Sequence, residues 1–268
     1  MTNNSITNIT VDTKAAAKAA KAESRAKAKA AKAAAKAAAR VMEAVAAVVA
    51  LIRALIASGD DISMYISREN KKLQPDENTD FIIWNLPAIF TCPFRTILCT
   101  LSCYAVKAEK YRKNVLPARV RNYLISRRAD FVDVMTAAIM KIAANSKKKY
   151  IIVRIHESGD FYNRAYAEKW LQIMRNCSGD KRIKFIAYTK SFPYFDGVRL
   201  PKNFSLRASI WDDTPEAMRE IVKRNDWSIY TAVPEFKTGD NFTRCRCNNC
   251  AGCRHCWQNY KDIRCKIH

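Results

Sequence analysis

From residue 81 onward the chain alternates short apolar runs with stretches of helical period. The runs at 81–90, 150–156, 183–189, 204–210 and 227–233 have strand length and are rich in β-branched and aromatic residues. Between them, residues 104–113, 117–126, 130–145, 164–175 and 214–224 repeat apolar positions at helical spacing. Strand–helix alternation of this kind predicts βαβ units in an α/β fold. The expected sheet is mainly parallel and curled, an incomplete (βα) barrel of about five or six strands.

Upstream the pattern differs. Residues 14–58 are dominated by alanine and lysine, both strong helix formers, and Gly59 stands where a C-cap is expected. One long helix follows. Lys14, Lys18, Lys21, Arg25, Lys32, Lys36 and Arg40 recur at steps of three, four or seven, which lines them along one face. Past Arg40 the helix turns apolar. The segment 41–57 contains Glu43 and Arg53 and is shorter than the roughly 20 apolar residues of a membrane span, so none is expected. The first residues are polar and show no secretory signal. The expected organisation is a helical arm at 1–60, a polar linker at 61–80, the α/β domain at 81–243 and a cysteine-rich extension at 244–268.

Charge sharpens the picture of the arm. The net charge is +22, and residues 14–40 hold nine Lys or Arg against the single acid Glu23. A basic stripe suits contact with nucleic acid through 14–40. A solvated helix docked by its apolar end gives the same composition. No Walker loop or G-x-G-x-x-G is present among only six glycines, which argues against nucleotide binding through those motifs.

Ten cysteines without a secretory signal point to a cytoplasmic protein whose thiols bind metal or work in redox chemistry. Cys92, Cys99 and Cys103 fall within twelve residues, directly before a helix. Three thiolates in that arrangement can hold three corners of a [4Fe–4S] cluster with one iron open, or supply three of four zinc ligands. Cys245, Cys247, Cys250, Cys253 and Cys256, with Cys265 beyond, form a denser group. Its C-x2-C-x2-C core matches the run that carries three cluster ligands in bacterial ferredoxins, with zinc as the alternative metal. Cys177, alone after a helix, is expected to be structural.

In parallel sheets, chemistry collects at the carboxyl ends of strands. Cys92, the run from His156 through Glu157, Ser158, Gly159 and Asp160 to Phe161, and Lys190 with Ser191 all follow expected strands. His156, Glu157 and Asp160 are therefore candidate acid–base groups. Arg154, on the preceding strand, is expected to pair with an acid inside the barrel. The aromatics of 192–195, Trp211, Trp227 and Trp257 suit pocket walls or base stacking.

Thr91-Cys92-Pro93, Cys103-Tyr104-Ala105, the arginine-containing stretch 114–122, Arg154 to Phe161, Ala187 to Lys190 and Cys253 to Trp257 together resemble the phage "gene product 88" family over residues 81–260. The cysteine loop is also similar to that of radical S-adenosylmethionine (SAM) enzymes, although C-x6-C-x3-C replaces their usual C-x3-C-x2-C. That similarity implies a cubane on Cys92, Cys99 and Cys103. It also implies SAM contacts from Ser158, Gly159 and Asp160, with Lys190 nearby, and one or two clusters in all.

Overall fold

The computed structural model describes residues 4–59, 63–233, 242–245, 249–258 and 262–266. Seven strands form one parallel sheet curled into a half-barrel: β1 (Thr79–Trp84), β2 (Tyr150–Ile155), β3 (Ile183–Thr189), β4 (Phe204–Ser209), β5 (Ile229–Val233), β6 (Thr243–Arg244) and β7 (Ile263–Lys266). Their order is β1-β2-β3-β4-β5-β7-β6. The helices are α1 (Asn4–Ser58), α2 (Ile97–Ser102), α3 (Tyr104–Tyr111), α4 (Val115–Ser126), α5 (Phe131–Ala144), α6 (Arg164–Asn176), α7 (Glu216–Arg224) and the single turn α8 (Cys250–Cys253).

The two-residue period of a strand sends alternate side chains to opposite faces, and here both faces are buried. Ile151, Val153 and Ile155 of β2, with Phe185 and Ala187 of β3, face α5 and α6 in the larger core around Phe131, Tyr166 and Trp170. Phe81, Ile83, Ile152 and Ile186 point into the concave side, where Leu73, Ala251 and Trp257 cover them. The cysteine-rich C-terminus is thus the plug of the half-barrel. Its strands β6 and β7 bring the sheet to seven strands, more than the expected five or six, because such short, charged segments carry no apolar signature.

The first strand ends earlier than the apolar run through residue 90 suggests. After Trp84 the chain meets Pro87, which cannot donate to a ladder, and Ile89 adopts a left-handed φ of 64°. Cys92 consequently lies on an irregular loop instead of at the strand end.

In α1, residues 15–32 are exposed throughout. Further along, Ala37 and Val48 are buried on a stripe that packs against α2 and α4. Arg40 belongs to this docked half and not to a solvent-facing basic row: its guanidinium donates to Thr100 O (3.1 Å) and Leu101 O (2.6 Å) at the C-terminal end of α2. A cation there complements the helix dipole. By length and composition, Ala15–Ser58 is the one described helix that meets the requirement of a bilayer span.

Candidate functional site at the concave face

The loops after β1 and β2 are fastened to each other before any cysteine enters. Leu86 N donates to Ser158 O (2.9 Å), and Ser158 Oγ returns a bond to Leu86 O (2.9 Å). Asn85 Oδ1 accepts from Glu157 N and Ser158 N at 2.8 and 3.0 Å. Gly159 has a φ of +77°, and a Cβ there would stand 2.5 Å from Thr91 Oγ1 and 2.6 Å from Leu86 Cβ. Glycine is required at this crossing for both conformation and space.

Cys92 follows on the same loop, held by Arg95, whose Nη1 donates to Cys92 O (2.8 Å). Cys99 lies on α2, whose N-terminus is capped by Thr96. Cys103 occupies the junction of α2 and α3, and Glu109 of α3 ties that helix back to the loop. The Glu109 carboxylate accepts from Ala88 N (2.8 Å) and pairs with Arg119 (2.8 Å), both side chains nearly buried. Burial pushes all three thiols above their usual range, Cys99 to about 11, where Lys190 acts in the opposite direction.

The second group arrives from the C-terminus. Asn249 caps α8 by accepting from Gly252 N (3.0 Å), and Cys250 N donates to Lys72 O (3.0 Å). Cys256 O receives Ser205 Oγ (2.8 Å) and Arg207 Nε (3.3 Å), so β4 grips the segment by its backbone. Trp257 packs edge-on against Phe81. Burial raises Cys250 to about 11 and Cys256 in the same direction. Cys247 lies outside the described residues. Cys177 is buried in the helix-side core, as expected of a structural residue.

Both groups open onto one cavity of about 300 Å³. Cys92, Cys99 and Cys103 line it from the β1 side, and Cys245, Cys250, Cys253, Cys256 and Cys265 from the C-terminal side. Ser158, Gly159, Asp160, Lys190, Trp211 and Tyr230 complete much of its wall. Among the described residues no three His, Cys, Asp or Glu side chains are gathered tightly enough to hold a single metal ion.

The residues expected to do acid–base work are largely engaged in structure. Asp160 is buried and accepts four hydrogen bonds: Phe161 N (2.8 Å) and Thr189 Oγ1 (2.5 Å) on one oxygen, Lys190 N (2.9 Å) and Ser191 N (3.2 Å) on the other. Desolvation nevertheless raises its pKa. It staples the β2 loop to the end of β3. Glu157 accepts from Asn70 Nδ2 (2.5 Å).

His156 would follow Arg154 onto the concave face by strand alternation. Its left-handed φ of 61° breaks that alternation, and the ring contacts Phe161 and Tyr166. Trp84 Nε1 donates to Tyr166 OH (2.9 Å), which in turn hydrogen-bonds His156 Nε2 (3.0 Å). Burial holds its pKa well below the ordinary value, so the ring is neutral at pH 7.

Lys190 does face the cavity. Its Nζ donates to Ser209 O (3.0 Å) and lies over the Trp211 ring, and burial lowers its pKa to about 8. Arg154 stacks on Tyr188, with Cζ 3.9 Å from the ring centroid, instead of pairing with an acid. Sequence reasoning missed that stack, although Ile152 and Arg154, two apart on a strand, signalled a shared face.

No solved structure matches this chain. The Gene 88 protein of Mycobacterium phage L5 is 33% identical over 200 residues, which covers 65% of this chain and 81% of that protein. The Gene 88 protein of Mycobacterium phage D29 is 35% identical over 106 residues, 38% of this chain, and there the chain spans only 43% of the phage protein's length. The family described as "Gene product 88" matches residues 64–259, which hold β1 to β6 and α2 to α8 and leave out α1 and β7. On that match the chain belongs to the phage Gene product 88 family.

Proposed function

We propose that the protein is an iron–sulfur enzyme of radical-SAM-like type acting in the cytoplasm of a phage-infected cell. The observation that carries this reading is the convergence of two cysteine groups, distant in sequence, on one cavity inside a parallel half-barrel. Cys92, Cys99 and Cys103 would hold a [4Fe–4S] cluster. Cys250, Cys253 and Cys256, with Cys245, Cys247 or Cys265, would hold a second centre. A single zinc at 2.3 Å from each thiolate needs sulfurs about 3.8 Å apart. A [4Fe–4S] cluster instead gives each thiolate its own iron, so its ligands need no such close approach.

When bound, a three-thiolate cubane supplies an open iron for SAM and the electron for its reductive cleavage. Around it this chain's residues orient and enclose. Asp160 and Gly159 fix the loop against Cys92, Lys190 adds a cation beside Cys99, and the plug excludes water from the concave side.

Anaerobically purified protein should contain iron and acid-labile sulfide with the broad absorption of a [4Fe–4S] centre. With reductant and SAM it should yield methionine and 5′-deoxyadenosine. Serine at Cys92, Cys99 or Cys103 should abolish the products while the other centre stays filled. Protein that binds one zinc and no iron would overturn the reading.

A second reading, nucleic-acid contact through α1, is favoured by the complete exposure of residues 15–32, which include Lys18, Lys21, Arg25 and Lys32.

A further inference from the structure

Arg154 is nine-tenths buried at the cavity wall, yet its Nη1 has no hydrogen-bond partner among the described residues. A guanidinium taken out of water without a counter-ion is unfavourable unless something else supplies one. Among the described residues no acid pairs with it, and the ionisable groups beside it include Tyr188, Cys250 and Cys256, whose pKa values burial raises. Tyr188 covers one face of the guanidinium, and the residue lines the cavity with its Nη1 buried and unpartnered among the described residues. A planar fork clamped by a ring is the arrangement that takes two oxygens of one anion. Lys190 adds a second buried cation on the same cavity wall.

We propose that the cavity binds an anionic small molecule whose carboxylate or phosphate oxygens are taken by the Arg154 guanidinium. This deepens the reading of the cavity as a reaction chamber by naming its substrate class, and the contact itself requires no metal.

The test titrates full-length, anaerobically purified protein with inorganic phosphate and, separately, succinate at constant ionic strength. Binding is followed by the fluorescence of Trp211 and Trp257, which line the cavity. Saturable binding at one site is expected for one of the two anions, and the tighter one names the source of the oxygens. Arg154→Met should weaken it roughly tenfold or more, and Arg154→Lys, which keeps charge without the fork, should fall between.

Phenylglyoxal footprinting of the wild type covers the case in which Arg154→Met does not fold. The binding anion should protect Arg154 and leave surface arginines labelled. Equal affinity in Arg154→Met, or Arg154 labelling unaffected by either anion, would overturn the proposal. So would loss of bound metal in Arg154→Met with anion affinity unchanged, since Arg154 would then serve as counter-charge to the Cys250 and Cys256 thiolates. Failure of the iron–sulfur reading would appear separately, as absent iron beside intact anion binding.

Discussion

Replacing Asp160 by asparagine separates a loop staple from a catalytic carboxylate. The carboxylate accepts from Phe161 N, Thr189 Oγ1, Lys190 N and Ser191 N, four donors on two oxygens. An amide retains one oxygen. Its best orientation keeps that oxygen toward Lys190 N and Ser191 N and turns the NH2 toward Thr189 and Phe161. The threonine hydroxyl can rotate and accept, but Phe161 N–H cannot. One buried backbone donor is thereby orphaned, at about 1–3 kcal/mol, and the surviving bonds lose charge assistance worth about 1 kcal/mol more. A total of about 2–4 kcal/mol corresponds to a drop in melting temperature of roughly 5–10 °C for a chain of this size. Differential scanning calorimetry measures it directly. A shift below about 1 °C would refute the staple, and if ligand binding were lost at unchanged stability, the carboxylate would be facing the ligand instead.

The crossing of the two loops gives a second test. Gly159→Ala should cost roughly 2–5 kcal/mol, the sum of a left-handed alanine and two contacts at or under 2.6 Å, and should raise the reactivity of Cys92 toward a thiol reagent. Gly197→Ala has a similar φ of +71° and open space around it, so denaturant midpoints should show only the conformational part, about 1–2 kcal/mol. Deleting residues 2–30 should leave thermal unfolding within about 1 °C, because 15–32 are exposed throughout. It should also weaken duplex DNA binding and lower the salt slope by about 0.9 for each phosphate contact removed. An unchanged slope would leave the exposed half of α1 without a role in nucleic-acid contact.

Much of the frame was legible in the chain. The runs at 150–156 and 183–189 became β2 and β3 almost to the residue, because strands buried on both faces must be apolar at nearly every position. The helices at 104–113, 130–145 and 164–175 were likewise written in their period. The long arm followed from alanine and lysine alone. The cysteine spacings marked the candidate ligands, since local chain geometry limits which thiols can meet.

What spacing could not carry is everything that depends on pairs far apart in sequence. Nothing local says that residues 250–257 fill the concave side laid down by Phe81, Ile83 and Ile152, or that Arg40 caps a helix some 60 positions away. Nor could the pattern tell that Asp160 is consumed by the end of β3 while Arg154, two residues before His156, keeps a buried donor without a partner among the described residues. His156 makes the point most sharply. Its place after β2 suggested chemistry, but a single left-handed φ left the ring against Tyr166. The sequence determines which residues have the right chemistry. Which of them face the cavity is decided by the curl of the sheet, the plug packed within it and the backbone angles at the loop crossings, because those alone fix where each side chain points.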